Sequence, residues 1–319
     1  GSIEEESGLS YTELEYRYAI SKKMPVFAII LDDSFLFTKA ASGGKDAIFE
    51  KDFKYSSKKI RMVSFLKQLA SDIVEKYKNY DDYPMDSPPS KQVWFFWWQG
   101  LETAPEIVKL CYAAIQKNIP DATVTPISQD NLLDYISIPS YIMDCVKNNT
   151  LSLVSLSDIS RMSLLAQKGG LWIDSTVFVG KEQREFFDYQ YYSIHFADSF
   201  KYVTGKWCTF VSYSVQNHIV PTFVSEVLFE YMKHYDHFIE YFLLDFTHLL
   251  GYDYIPSFRR AVQSVPCNNH KVLKMWPRLN NSYSPGQLDF LLSDSALFKL
   301  SYKEPVRKTI GDSKTLYGH

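Results

Sequence analysis

Three residues in one short stretch carry the chemistry most readily read from this sequence: Asp158 and Arg161, three apart, and Asp174. On a helix, residues three apart lie side by side, so a carboxylate and a guanidinium would project together. A hexose offers hydroxyls that both donate and accept hydrogen bonds, and that pair supplies complementary partners. Asp174 follows Leu171-Trp172-Ile173, which reads as a short buried strand, and open α/β sheets bind ligands beyond the carboxyl ends of their strands. A carboxylate there could hold or orient a divalent cation, which stabilises a diphosphate as a glycosidic bond breaks. Each feature alone has a plainer reading. Asp-x-x-Arg on a helix is commonly a surface ion pair of small energetic weight, and one Asp after a strand is unspecific.

The elements that must position these residues can be read around them. Ser155 or Ser157 is placed to cap a helix from Asp158 to Gln167, with Ile159, Met162, Leu165 and Ala166 as its apolar stripe. Gly169-Gly170 ends that helix. Upstream, the pattern predicts a strand from Val93 to Trp98, a helix from Pro105 to Asn118, a polar strand near Thr123 to Ile127, and helices through Asn131 to Lys147. Downstream, Val220 to Gly251 reads as largely helical. Alternating strands and helices predict an α/β sheet. The run from Asp81 to Ser90, rich in Asp, Pro and Ser, reads as a linker between a segment 1–80 and a domain 91–319. Before it, Ser10 to Ser21 reads as a helix, Pro25 to Leu31 as a buried strand, and Lys58 to Tyr77 as an amphipathic helix.

Bulk properties narrow the function. A chain of 319 residues, 46% hydrophobic and 22% charged, is long enough to bury a large core, and its net charge of −3 supplies no global field for nucleic acid. No nucleic-acid partner is expected. The aromatic share of 16% suits stacking on sugars and bases as well as a rich core. Cys111, Cys145, Cys208 and Cys267 have no metal-ligand spacing and suit a reducing cytoplasm. His195, His218, His248 and His270 likewise show no ligand spacing and read as structural. The apolar runs are too short to span a bilayer, so the expected location is cytoplasmic, including the inner membrane face as a peripheral protein.

The whole string from Ser157 to Asp174, SDISRMSLLAQKGGLWID, resembles the donor motif of the capsular polysaccharide synthesis protein family, relatives of Och1-like mannosyltransferases and the glucosylating clostridial toxins. The resemblance covers about residues 91–319. It implies a GT-A-like (Rossmann-like) fold and transfer of a hexose from a nucleotide sugar to a capsular or other surface glycan or its lipid-linked precursor, with retention by analogy. In that comparison Asp158 and Arg161 match the residues that grip the donor sugar, and Asp174 matches the first Asp of the Asp-x-Asp motif, the metal site. Thr176 stands where many relatives carry the second Asp, so Mn or Mg dependence is an open expectation.

The same resemblance gives roles further along the chain. Val93 to Gly100 resembles the family's first strand, where Trp97 is the candidate for stacking on the base, with Gln99 close by; alternation puts those two on one face and Trp98 on the other. The segment YFLLDF places Asp245 in an apolar helical stretch where an unpaired carboxylate would be costly, so it needs a partner or a task. It is the candidate acceptor-side acid, or general base if the reaction inverts, with a capping or core role equally open. Pro266 to His270 could border the acceptor cleft or be a plain loop. Lys303, in a further family-like segment, could neutralise diphosphate.

Residues 1–80 resemble the second half of an uncharacterised Rossmann-like bacterial domain distantly similar to TIR domains, with the first half expected to be missing. Glu15 would then lie near a catalytic glutamate, against the simpler reading of a solvated charge. Two alternatives to a hexosyltransferase follow: a glycan- or nucleotide-sugar-binding module without catalysis, and a nucleotide-signalling or defence protein dominated by the TIR-like segment.

Overall fold

A central strand buried on both faces needs helices on both sides, and the sequence Gln92–Phe96 meets that demand: Val93, Trp94, Phe95 and Phe96 are all buried. The computed structural model describes residues 58–80, 88–195 and 206–319. The helix and strand expected within 10–31, and Glu15, lie outside the described residues. Strand β1 (Gln92–Phe96) pairs in parallel with β2 (Thr123–Ile127) on one side and with β3 (Gly170–Ile173) on the other. Strands β5 (Tyr191–Ser193) and β6 (Val211–Ser214) complete a five-stranded sheet of order β2-β1-β3-β6-β5, with β6 antiparallel to β3 and β5 antiparallel to β6. Polar β2 takes the edge, where Pro126 is tolerated. The chain is therefore mixed α/β, as the alternation predicts.

The crossovers fix where a ligand can enter. Helix α2 (Glu106–Asn118) carries the chain from β1 to β2 on one side of β1. The helices α3 (Leu132–Tyr135), α4 (Ser140–Lys147) and α5 (Leu153–Lys168) then carry it to β3 on the other side. The strand order reverses at β1, so the carboxyl ends of β1 and β3 flank a topological switch point. Asp174 follows β3 directly.

Helix α5 differs from the sequence expectation at its start. It begins at Leu153, because Ser152 is the cap and accepts the Ser155 backbone N–H at 3.1 Å. The Ser155 side chain is buried one turn in, its hydroxyl 2.9 Å from that of Ser152. The helix also buries far more than a stripe: every residue from Ile159 to Ala166 is buried. It lies against β3 and α6 (Ile219–His234), and α6 and α7 (Leu243–Tyr254) are separate helices where one long helical stretch was expected.

Strand β1 also stops earlier than expected. Trp97 still donates its N–H to Ile127, but the Gly100 N–H donates to the Trp97 carbonyl at 3.0 Å, closing a turn. Gly100 takes φ of 86° there. Trp97, Trp98 and Gln99 therefore belong to a turn, so strand alternation does not set their directions. Residues 61–69 and α1 (Ser71–Lys78) are helical, as expected for 58–77, and they place Met62, Leu66, Val74 and Tyr77 in the same core as the sheet. Tyr77 donates to Glu226 of α6 at 2.7 Å. The unit that contains the sheet begins at Arg61, so the residues 61–80 ahead of the expected linker pack within it. Among the described residues no helix is long and apolar enough to cross a membrane.

A second, two-stranded sheet matters for the site. Strand β4 (Val177–Val179) pairs antiparallel with β7 (Leu297–Lys299), with Val177 opposite Lys299. Residues more than a hundred positions apart thereby meet beside Asp174.

The link between α5 and β3 depends on its glycines. Gly169 and Gly170 have φ of 67° and 100°, and a Cβ on Gly170 would lie 2.6 Å from the Gln92 carbonyl oxygen. The Gly169 carbonyl accepts the Trp94 indole N–H at 2.8 Å. Gly170→Ala should therefore lower the unfolding free energy by at least about 2 kcal/mol in denaturant titrations followed by circular dichroism. An unchanged midpoint would refute this account of the turn.

Candidate active site

The site is built around a buried guanidinium. Arg161 is 4% exposed, which excludes the surface-pair reading of Asp-x-x-Arg. Its Nη2 lies 3.2 Å from Asp158 Oδ1 and donates to Asp174 Oδ1 at 2.9 Å. Its guanidinium carbon lies 5.2 Å from the ring centroid of Trp172. The i,i+3 spacing brings the first carboxylate, and the Gly169-Gly170 turn brings the second. The three residues singled out in the sequence thus form one cluster.

Asp174 collects three donors. Besides Arg161, the Trp172 indole N–H donates to Oδ1 at 2.8 Å and the Lys299 ammonium donates to Oδ2 at 2.6 Å. Burial pushes the Asp174 carboxyl up, but Lys299 and Arg161 outweigh it and hold the group below its ordinary range. Asp158 behaves oppositely. Burial raises it to about 7, against the opposing pull of Arg161, with the negative charges of Asp174 and Asp245 adding to the rise. Two carboxylates beside one arginine are thus driven apart in acidity.

Asp245 joins this cluster from the first turn of α7. It accepts the Trp207 indole N–H at 3.2 Å, the partner that its apolar setting required, and burial pushes it up to about 6. Trp207 in turn stacks on His248, at 5.7 Å between ring centroids. His248 bonds the Leu244 carbonyl through Nδ1 and burial lowers its pKa to about 4, which keeps it neutral at physiological pH. Tyr241 is exposed, yet its hydroxyl is held above its ordinary value by burial and then by Asp158, Asp174 and Asp245.

An aromatic row joins the end of β1 to the cluster. Trp98 stacks on Phe96 at 6.1 Å, and Phe96 tilts against Trp172 at 5.8 Å, the ring under Arg161. Trp97 turns elsewhere, meeting Tyr302 edge-on at 5.4 Å. Gln99 is exposed in the turn, and its carbonyl accepts the Thr103 hydroxyl. Of the Pro266–His270 segment, Asn269 is buried and accepts the Ala296 and Leu297 backbone N–H groups at 2.8 and 3.0 Å, which anchors β7. Lys303 is exposed, and the lysine that reaches Asp174 is Lys299.

Sequence reasoning missed Lys299, Trp207 and Tyr241. Trp172 was within reach of it, since a residue two before Asp174 on a strand shares its face. His218 caps α6 by accepting the Val220 N–H and is held neutral by burial, its pKa lowered to about 3.

The donor set does not fit a divalent cation at Asp174. Such an ion needs several oxygen ligands with uncommitted charge. Here Oδ1 is taken by Arg161 and Trp172 and Oδ2 by Lys299, while Thr176 is buried and its carbonyl accepts the Leu300 N–H. Among the described residues no group of three His, Cys, Asp or Glu side chains is placed to hold a metal.

The raised carboxyls give a pH dependence. A carboxyl whose pKa is higher folded than unfolded leaves the native state with more bound protons, so its stabilising contribution is lost as pH rises through the folded pKa. For Asp245 and Asp158 the loss is expected as pH climbs through about 6 and about 7. Asp174 acts in the opposite sense and only under acid conditions. Asp158→Asn should flatten the fall in melting temperature between about pH 4 and about pH 7; parallel curves for variant and wild type would contradict the assignment.

Comparisons with known proteins give the chain a family. No curated protein matches the chain. A solved structure titled PaToxG glycosyltransferase aligns over 66% of this chain and 84% of its own length, at 15% identity and a TM-score of 0.40. The model of a domain of unknown function, DUF4062, matches residues 1–87. The model described as capsular polysaccharide synthesis protein matches residues 45–319, most of the chain and all of the cluster around Arg161, and the protein belongs to that family.

Proposed function

We propose that this protein is a nucleotide-sugar-dependent hexosyltransferase with a GT-A-like catalytic domain, acting on a capsular or other surface polysaccharide or its lipid-linked precursor. The observation that carries the reading is the Asp158–Arg161–Asp174 cluster at the carboxyl ends of the parallel strands β1 and β3, beside the switch point. In the reaction, the bond from the sugar C1 to the diphosphate oxygen breaks and its electron pair stays on that oxygen. The acceptor hydroxyl oxygen bonds to C1 and gives up its proton. Chemistry of this kind rests on positioning and on stabilising the departing charge.

The residues divide the work. Asp158 and Arg161 orient the sugar hydroxyls, Asp158 with lone pairs that Arg161 does not use. Asp174 holds Arg161 in place and faces the ribose side of the donor. Trp97, with Gln99 nearby, receives the base. Asp245 faces the acceptor; its pKa of about 6 suits a group that takes a proton near neutrality, the role it would fill in an inverting reaction. Retention of configuration rests on the family resemblance.

Release of nucleoside diphosphate from a panel of sugar nucleotides tests the reading. Asn imitates the protonated form of Asp158, so Asp158→Asn should fold while losing about 10²–10³ in kcat/KM, and Trp97→Ala should mainly raise KM. No turnover of any sugar nucleotide, with a lipid-linked or polysaccharide acceptor present, would end the proposal.

A further inference from the structure

We infer that the Lys299 ammonium takes the place of a divalent cation in this site, so that a nucleoside diphosphate group is bound and its developing charge neutralised without added metal. The inference rests on the sugar-nucleotide reading above. It goes beyond that reading by assigning the diphosphate subsite and its counter-charge.

The position of Lys299 carries the argument. The ammonium lies 2.6 Å from Asp174 Oδ2, the carboxylate oxygen a metal would need. An ammonium has three N–H donors and Asp174 accepts one of them, which fixes the charge and leaves donor capacity for a second anion. The side chain is 27% exposed against 5% for Arg161, so of the two cations on Asp174 it is the more open to a ligand. Lysine is a competent point-charge binder of phosphate, and a fixed cation costs no reorganisation as charge develops.

The surroundings make the placement rigid. Strand β7 is held on one side by its pairing with β4, where Val177 faces Lys299. The Thr176 carbonyl accepts the Leu300 N–H at 2.8 Å, and the Lys299 N–H donates to the Val272 carbonyl at 2.8 Å. Three residues beyond Lys299, Tyr302 contacts Trp97, the candidate base platform. Three residues span at most about 10 Å, so one short segment links the base side to Asp174. Base, diphosphate and sugar would then meet Trp97, Lys299 and the Asp158–Arg161 pair in the order in which they are bonded.

The chemistry balances without a further reactant. As the C1–O bond breaks, the β-phosphate oxygen gains negative charge, and the ammonium, already protonated, stabilises it through a charge-assisted hydrogen bond. Thr176 fits this arrangement, since an ammonium needs no second carboxylate to hold it.

Calorimetric titration of the full chain with UDP, GDP, ADP, CDP and dTDP, and with the matching nucleosides, tests the inference in excess EDTA and in manganese. Wild type should bind one of the diphosphates with affinities within about twofold in the two conditions, as a fixed charge predicts. Lys299→Met should weaken that diphosphate by about tenfold or more while leaving the nucleoside within about twofold, and Lys299→Arg should retain most of the affinity. A purely structural lysine would weaken both ligands alike. Binding that needs manganese and vanishes in EDTA, or a Met variant that binds the diphosphate like wild type, overturns the inference while leaving the sugar-nucleotide reading standing. Absence of binding by every diphosphate in both conditions sinks that reading and the inference together. Should the Met variant lack native circular dichroism, the wild-type metal comparison and the Arg variant decide the question.

Discussion

A guanidinium enclosed in a protein interior is tolerable only if its charge is matched and its position fixed, and Arg161 imposes both conditions on the structure around it. Asp158 comes with the helix itself. Asp174 comes from the next strand, thirteen residues on, and meets the same nitrogen only if α5 stops and β3 starts at one place. Gly169 and Gly170, with positive φ and no room for a Cβ, set that place. The Trp94 indole fastens the turn to β1, so the strand beside the switch point is tied to the same device. Helix, glycine turn and strand act as one unit, and the charge cluster is what they are registered to.

Most of this unit was legible because its information is local. Helical spacing, a glycine pair and a short apolar strand ending in Asp all lie within one window, and each obeys a short-range rule. The start of α5 was not legible, because Ser152, Ser155 and Ser157 are all chemically able to cap; in the fold Ser152 does so and the Ser155 side chain is buried. The end of β1 misled in a similar way. An aromatic run has strong strand propensity, but the turn closed by Gly100 takes Trp97 and Trp98 out of it. Lys299 had no local signal at all. It reaches Asp174 across 125 residues through the β4–β7 pairing, and a lysine at the end of a three-residue strand resembles any other surface lysine in sequence.

Asp245 falls between these cases. An acid in an apolar helical segment had to have a partner, and the burial argument was sufficient to say so. It could not name Trp207, because nothing in either local pattern encodes a hydrogen bond between positions 38 apart. The result is a carboxyl held by one indole in a setting that raises its pKa, beside a neutral His248 under the same tryptophan. Sequence pattern identified the strain, and the fold supplied its resolution.

The two carboxylates on Arg161 explain why the cluster can be both a structural anchor and a reactive site. Asp174, with three donors on its two oxygens, is spent on holding Arg161, Trp172 and Lys299 in fixed relation. Asp158 carries the opposite burden: little opposes its burial except Arg161 at 3.2 Å, so its charged form is marginal near neutrality. A sugar hydroxyl that donates to Asp158 would favour the ionised form, and one that accepts from it would favour the protonated form. The saturated acid therefore fixes geometry and the unsaturated acid retains the capacity to answer a ligand. A metal at Asp174 would have to displace Lys299 and loosen that division. A lysine there preserves it, because the same ammonium that completes the anchor is part-exposed and keeps donor capacity for a second anion.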